Sequence, residues 1–207
     1  MKMNYLKITA NMASPVVINH DLLLDTILIT KKAVELKLDA QTLNPLKPLE
    51  VQDVVQYFGD IPLCSKAFFK GVDSKNVYYK RFDEDNEYFA DTKKIKIGSG
   101  RYKNYANTLK VTDVAEIVFY ALGNKEEIKR LLSWVYALGK KESQGYGIVR
   151  EWIVEELKEQ IDFLNPENPL RPLPLEYFSN DFKNKNRKLV SYKFPYWYNG
   201  NKKLCYV

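Results

Sequence analysis

The chain is poor in the residues that metal sites and nucleophilic catalysis use. Its 207 residues include one histidine, His20, and two cysteines, Cys64 and Cys205, which form no CxxC motif. Tetrahedral zinc sites take three or four Cys or His ligands, so the sequence excludes a zinc cluster, and we expect no other metal or cofactor. Two thiols permit one disulfide without arguing for it, so we expect a reducing cytosol.

Long apolar segments and export signals are also missing. No apolar run approaches 18 residues, and the N-terminal run "MKMNYLKITANM" lacks both a long apolar stretch and a cleavage site. We therefore expect a cytoplasmic protein that is neither exported nor bound to a membrane. The apolar fraction of 45% is nevertheless enough for a hydrophobic core.

The positive charge is concentrated in two segments. The formal net charge is +6, but residues 92–112 hold six basic residues and residues 182–207 hold seven, with no acid in either. The rest of the chain then has 19 basic against 26 acidic residues, a net charge of −7. This asymmetry favours a polyanionic partner at defined places, although solvated lysine-rich surfaces would look similar.

Residue periodicity predicts a short series of strands and two helices. Alternation predicts strands at residues 5–12, 61–69, 77–82, 115–121 and 147–157, and helical spacing predicts helices at residues 23–38 and 125–138. We expect Asn19 or Asp21 to cap the first helix, and Glu126 and Glu127 to complement the dipole of the second. Residues 39–59 are predicted as a loop with one short helix near residues 51–57, and "GVDSKN" as a turn.

Two further segments are read from composition. Residues 93–110 contain "KKIKI", a "GSG" turn and "RYKNYANTLKV", which predicts a basic, aromatic β-hairpin that projects from the body. The tail at about residues 165–207 is too rich in proline for regular structure at "NPENPLRPLPLEYF", and its "FPYWY" is expected to pack on the body. The order of elements predicts an α+β, ferredoxin-like (RRM-like) sheet with both helices on one face, in a single domain over residues 1–207.

A glycine-rich loop, "LGKKESQGYGIV", joins the second helix to the last strand. Gly139 satisfies the usual requirement for a left-handed residue at a helix C-terminus. Gly145 and Gly147, on either side of Tyr146, exceed that requirement and predict a backbone that approaches a ligand closely. Charged and neutral donors that suit phosphates and riboses flank these glycines: Lys140, Lys141, Ser143 and Gln144. A tight turn with incidental lysines is the alternative interpretation.

Other nucleotide-binding and catalytic motifs are missing. A Walker loop lies between a strand and a helix and has a lysine after its last glycine, whereas this loop follows a helix; the Rossmann fingerprint is also absent. His20 is the single candidate for a general base, and its place just before the first helix is more typical of a local hydrogen-bonding group. Of the many aromatic residues, we expect Tyr102, Tyr105 and Tyr146 to contact bases.

The loop resembles the glycine-rich loop of the RAMP superfamily of CRISPR proteins, in which a helix, a Gly-Lys-basic-x-x-Gly-x-Gly loop and a strand follow one another. The runs "ITANMASPVVIN" before "LLLD", "RPLP" at residues 171–174 and "PYW" at residues 195–197 are similar to the type IV version of the fifth Cas family. The resemblance spans residues 6–197. It departs at Glu142, where a basic residue is common, which predicts a weaker electrostatic pull and a larger share for backbone contacts.

The resemblance implies a RAMP domain that caps the 5′ handle of a CRISPR RNA in a type IV complex for antiviral defence and plasmid interference. The implied partners are the adjacent backbone subunit, the large subunit, a recruited helicase and, indirectly, target DNA. By analogy, the hairpin (about residues 92–112) is the thumb over the RNA. The RNA-binding residues expected on it, besides the loop residues, are Lys93, Lys94, Lys96, Arg101, Tyr102, Lys103 and Tyr105. No catalytic residue is implied.

Two other functions are compatible with the residues. The protein could be a metal-independent endoribonuclease that processes precursor RNA, with His20 as its base. It could also be a scaffold that contacts only other proteins.

Overall fold

Strands dominate the structure, a computed structural model that describes residues 2–38, 49, 51–81, 98–178, 182 and 186–207. It is a mixed α/β fold with two α-helices in that part of the chain. The strands are β1 (Asn4–Met12), β2 (Tyr57–Phe58), β3 (Ile61–Pro62), β4 (Val72–Lys80), β5 (Tyr105–Asp113), β6 (Glu116–Gly123), β7 (Val149–Glu156), β8 (Leu173–Pro174), β9 (Arg187–Ser191) and β10 (Lys202–Tyr206). The helices are α1 (Leu24–Glu35) and α2 (Lys125–Leu132).

The central sheet has β1 in the middle, antiparallel to β6 on one side and to β7 on the other. Leu6, Ile8 and Ala10 alternate along β1 and are fully buried, as the alternation in the sequence predicts. Opposite Ile8 lie Phe119 of β6 and Val154 of β7, which are also buried. The first, fourth and fifth predicted strands are therefore confirmed as β1, β6 and β7, and this face of the sheet carries the main core.

Both helices pack on that core: α2 begins at Lys125 as predicted, whereas both helices end earlier than predicted. Helix α1 begins after Leu23, which has no capping side chain, so neither Asn19 nor Asp21 acts as the cap. The side chain of Asn124 caps α2 by accepting hydrogen bonds from the amides of Glu126 and Glu127 at 3.0 and 3.3 Å. Helix α2 ends at Leu132, six residues earlier than predicted, because a turn and an extended segment follow it.

The chain between α1 and β4 is less regular than predicted. Residues 52–54 form a turn and Tyr57–Phe58 form β2, so the short helix predicted near residues 51–57 is wrong. Of the strand predicted at residues 61–69, only β3 is a regular strand. Further along, Cys64 and Phe68 make isolated bridges to Ala121 and Val118 of β6. This irregular segment therefore lies along the outer edge of β6.

Strands β4 and β5 form a two-stranded antiparallel hairpin, with Lys80 opposite Tyr105 at one end and Val72 opposite Asp113 at the other. The predicted turn at "GVDSKN" is wrong, because these residues lie in or next to β4. The predicted hairpin within residues 93–110 is also differently paired: its second arm, β5, pairs with β4, and the "KKIKI" arm lies outside the described residues. Nearly all of β4 is exposed, whereas Val111 near the base of β5 is buried.

The C-terminal tail contains a second sheet, with β10 between β8 and β9. The irregular structure predicted for residues 165–178 is interrupted only by the two-residue β8 and a 3₁₀ turn at Leu175–Tyr177. The two longer strands, β9 and β10, lie after this proline-rich run, where no strand was predicted. A separate apolar cluster packs against this sheet and contains Ile61, Leu173, Tyr192, Cys205 and Tyr206.

A buried group that we call the Arg171 clasp joins the tail to α1. It comprises Arg171, Asp25 and Tyr196. Arg171 and Asp25 are fully buried and lie 3.5 Å apart, and the Tyr196 hydroxyl donates to Asp25 at 2.7 Å. Arg171 also donates to the carbonyls of Pro62 and Tyr192 at 2.7 and 2.8 Å. The arginine of the "RPLP" run thus has a structural role.

Three features bear on metal binding, thiol reactivity and membrane insertion: the grouping of possible metal ligands, the state of the cysteines and the length of the helices. Within the described ranges, no three His, Cys, Asp or Glu side chains are grouped so that they could hold a metal ion. Cys64 and Cys205 are free and buried, and burial raises the pKa of the Cys64 thiol to about 12, so this thiol stays protonated. No α-helix in the same ranges has the length and apolarity needed to cross a bilayer.

Candidate nucleic-acid interface

One segment between β1 and α1, residues 13–18, positions the glycine loop. The Ala13 amide donates to the Ile148 carbonyl at 2.8 Å, and the Gly147 amide donates to the Pro15 carbonyl at 2.8 Å. The Lys140 amide donates to the Val17 carbonyl at 2.9 Å. Both ends of the loop are therefore tied to this segment.

The same segment holds the base of the hairpin. Val16 forms a bridge with Thr112 of β5, in which each amide donates to the other carbonyl at 2.8 Å. The glycine loop and the hairpin are predicted to contact RNA, and a single short stretch of backbone sets their relative position. The run "ASPVVIN", which sequence reasoning used only as part of a resemblance, is thus a positioning element.

The two outer glycines of the loop are explained by internal packing. Gly139 and Gly147 have left-handed backbone, with φ of 89° and 70°. A Cβ atom would lie 2.6 Å from the Val17 carbonyl oxygen at Gly139 and 1.9 Å from the Leu138 carbonyl oxygen at Gly147. Both positions therefore require glycine because neighbouring backbone lies against them.

Gly145 differs from its neighbour Gly147. Its φ is also positive, at 83°, but nothing lies within 4 Å of the Cβ position. The prediction that Gly145 and Gly147 both offer bare amides is wrong: Gly147 is buried and donates to Pro15, and Gly145 donates to the Glu142 carbonyl at 2.9 Å. Of the three glycines in this loop, Gly145 is the one with open space at its Cβ position.

The amides that are available lie one turn earlier in the loop. Lys141 is left-handed, with φ of 68°, and a 3₁₀ turn follows it at Glu142–Gln144. In the described part of the chain, the amides of Lys141, Glu142 and Ser143 have no protein acceptor. Consecutive amides around a left-handed residue and a right-handed turn form a concave anion-binding nest. The loop therefore retains the predicted backbone donors, displaced toward its N-terminal side.

Positive charge surrounds this nest. Lys140 and Lys141 are exposed, and neither has an acidic partner among the residues that the structure describes. Ser143 and Gln144 are exposed on the 3₁₀ turn and supply neutral donors. Glu142 lies on the same turn, and its carboxylate offsets part of the positive charge of the two lysines. A phosphate placed here meets two cations and three amides.

Tyr146 connects the loop to the hairpin. Its hydroxyl accepts a hydrogen bond from the Asn76 side-chain amide at 2.9 Å and makes a short hydrogen bond with the Tyr78 hydroxyl. These bonds lower the pKa of Tyr146, and the bond to Tyr146 raises the pKa of Tyr78. The hydroxyl of Tyr146 is thus occupied by β4, and only its half-buried ring remains for a base.

Asn76 and Tyr78 were missed by sequence reasoning. Both lie in the run "VDSKNVYYK", most of which had been assigned to a turn. No apolar alternation runs through residues 72–76, so the sequence gives no local signal that the strand predicted at residues 77–82 begins earlier.

The remaining predicted RNA-binding residues belong to the hairpin region, and the structure describes only some of their side chains. Arg101 and Lys103 are exposed around the 3₁₀ turn Gly100–Tyr102, and they have no acidic partner in the described ranges. Tyr105 is 49% exposed, with the Lys80 ammonium over its ring. Tyr102 is described only through its backbone, and Lys93, Lys94 and Lys96 lie outside the described residues.

Comparison with known proteins supplies the family. A chain of the type III-B Cmr-beta complex, in a cryo-EM structure with cognate target RNA bound, is similar with a TM-score of 0.38 and 11% identity. The alignment covers 75% of the present chain and 61% of that chain, so the present chain spans less than two thirds of its length. None of the curated proteins matches. The sequence does match the CRISPR type IV associated protein Csf3 over residues 61–207, well over half of its length, and the chain therefore belongs to the Csf3 family.

Proposed function

We propose that this CRISPR complex subunit is a non-catalytic RNA-binding protein that caps the 5′ handle of the guide RNA in a type IV complex. The observation that carries the proposal is the nest at Lys141, Glu142 and Ser143, with Lys140 beside it and the basic hairpin fixed to the same backbone segment. Because the chain belongs to a type IV CRISPR family, we take guide RNA as the polyanion that binds this surface.

The finer fold assignment belongs to the same proposal. The order β7-β1-β6, followed by the irregular segment at residues 64–68 on the edge of β6, suits a ferredoxin-like RAMP domain whose fourth strand is interrupted. The hairpin of β4 and β5 then takes the role of the thumb, and its exposed faces suit a contact with RNA and with the adjacent backbone subunit.

In this arrangement, phosphates set the register and bases give the sequence preference. The nest and the two lysines bind one or two phosphates of the handle, because amides and ammonium groups are the donors that a phosphate accepts. Arg101 and Lys103 extend the positive surface along the hairpin. The Tyr105 ring is open to a base.

The test is the salt dependence of handle binding. For the wild-type protein and a repeat-derived RNA, log K should fall steeply with log salt, by about 0.7 for each neutralised phosphate. Lys140→Glu with Lys141→Glu should weaken binding at least tenfold and reduce the slope by about 1.4. The matched control replaces two exposed lysines outside the loop and hairpin, Lys37→Glu with Lys158→Glu, and should leave the slope within about half a unit. Equal slopes in both double variants would contradict the proposal.

The absence of catalysis is tested separately. Purified protein incubated with repeat RNA in EDTA should leave the RNA intact. Site-specific cleavage that His20→Ala abolishes would instead assign an endoribonuclease. His20 is exposed, so this substitution should not disturb the fold.

A further inference from the structure

Two strongly exposed aromatic rings lie between α2 and the glycine loop. Trp134 is 67% exposed and Tyr136 is 63% exposed, whereas Val135 between them is 5% exposed. Val135 holds this stretch of chain against the core, so both rings lie at the surface within two residues of each other. Neither residue is among the predicted RNA-binding residues.

The backbone that carries these rings is fixed. The Val135 amide donates to the Leu132 carbonyl at 2.8 Å, and the Trp152 indole donates to the Val135 carbonyl at 2.8 Å. The Tyr136 carbonyl accepts from the Val149 amide at 2.9 Å. Because the backbone is already ordered, the rings bind a partner at a small entropic cost.

The spacing of the rings suits a nucleobase. The Cα atoms of residues two apart are separated by at most about 7 Å. Successive bases along a strand are about 3.4 Å apart, so a base stacked between two rings needs about twice that distance. Trp134 and Tyr136 can therefore hold one base between them or stack on consecutive bases.

The charge around the rings favours nucleic acid over a protein surface. Residues 129–150 contain five basic residues and one acidic residue. Arg130 is paired with Glu35 and Glu127, but the other four have no acidic partner in the part of the chain that the structure describes. These four are Lys129, Lys140, Lys141 and Arg150. Single-stranded RNA offers rings to stack on and phosphates for the cations at once.

We propose that Trp134 and Tyr136 form a base-stacking platform that binds unpaired bases of single-stranded RNA next to the glycine loop. This inference rests on the proposed function, because the strand on the platform would be the one whose phosphates reach Lys140 and Lys141. Stacking is tolerant of sequence, so the platform needs no particular base.

The experiment compares two ten-nucleotide probes of equal charge: oligoadenosine and the same ribose-phosphate chain without bases. Wild-type protein should bind oligoadenosine at least tenfold more tightly. Trp134→Leu and Tyr136→Leu should each remove most of this preference and leave the affinity for the abasic probe unchanged. Trp134→Phe, which keeps a ring, should retain part of it. Trp197→Leu is the matched control, because Trp197 is 57% exposed outside this region, and it should bind both probes as the wild type does.

Each other outcome is decisive. Equal wild-type affinity for the two probes, or a loss shared equally by both in the variants, would overturn the platform. So would variants that keep the preference but no longer copurify with the other subunits after ribonuclease treatment, a result that assigns the rings to a protein contact. Wild-type protein that binds the handle RNA but shows no preference for oligoadenosine over the abasic probe overturns the platform alone. Wild-type protein that prefers oligoadenosine but does not bind the handle RNA overturns the proposed function alone.

Discussion

The glycine loop and the Arg171 clasp treat charge in opposite ways. In the clasp, a fully buried arginine lies 3.5 Å from a fully buried aspartate and donates to backbone carbonyls as well. In the loop, Lys140 and Lys141 are exposed and have no acidic partner in the described ranges. A buried charge must be compensated by the protein itself, whereas a charge left in water is available to an external anion. The difference separates a structural site from a candidate binding site.

The largest expected effect comes from removing one member of the clasp. Arg171→Met leaves Asp25 buried without its cation, and we expect the free energy of unfolding to fall by about 3–5 kcal/mol. Denaturant unfolding measures the loss. The matched control, Arg150→Met, removes an exposed arginine and should cost under about 0.5 kcal/mol. Similar losses in both variants would show that the clasp is not a special site.

The next effect separates the two glycines within the loop. Gly147→Ala places a Cβ atom against the Leu138 carbonyl in addition to the left-handed strain, so we expect a loss of about 3 kcal/mol or more. Gly145→Ala meets open space and incurs only the backbone strain, about 1 kcal/mol. Thermal or denaturant unfolding ranks the two variants. An equal cost would mean that the loop shifts to relieve the contact at Gly147.

A smaller effect is expected on the stability at low pH, through the carboxylate of Asp60 near the clasp. Burial alone would raise the pKa of Asp60, but the hydrogen bonds from Lys193, Tyr192 and Tyr177 outweigh it and lower the pKa to about 2. Because the folded pKa is depressed, the stabilisation is complete above about pH 4 and is lost as the pH falls toward 2. Asp60→Asn should flatten the loss of stability between pH 4 and 2 by about 1 kcal/mol, allowing for solvent screening. Identical acid profiles for the two proteins would contradict this assignment.

The smallest effect tests whether the loop and the hairpin are coupled. Tyr146→Phe removes the hydroxyl that joins Asn76 and Tyr78, which are exposed, so global stability should fall by about 1 kcal/mol or less. Amide hydrogen exchange in β4 should nevertheless accelerate severalfold, because the hairpin loses one of its attachments. Tyr105→Phe is the control on the other strand and should leave the exchange of β4 unchanged. No change in β4 for Tyr146→Phe would show that the bridge at Val16 alone fixes the hairpin.

The sequence predicts the parts whose signals are local. The alternation in β1, the amphipathic face of α2 and the position of the glycine loop all follow from periodicity and glycine content, and the type IV CRISPR family is confirmed. The pairing of β4 with β5 was not predictable, because more than twenty residues separate the paired ends and composition does not specify a partner strand. The sequence also did not show why residue 147 must be glycine, which is the contact with the Leu138 carbonyl. A glycine that accommodates neighbouring backbone and a glycine that accommodates a ligand look the same in a sequence.

The anchoring of the loop at Gly139 and Gly147 has a practical consequence for protein engineering. The residues between these anchors touch little of the core, while the anchors themselves tolerate no side chain. Residues 141–145 can therefore be treated as an exchangeable cassette, with Tyr146 kept because its hydroxyl attaches the loop to β4. Recognition residues from related subunits could be grafted into it without redesigning the scaffold that presents them.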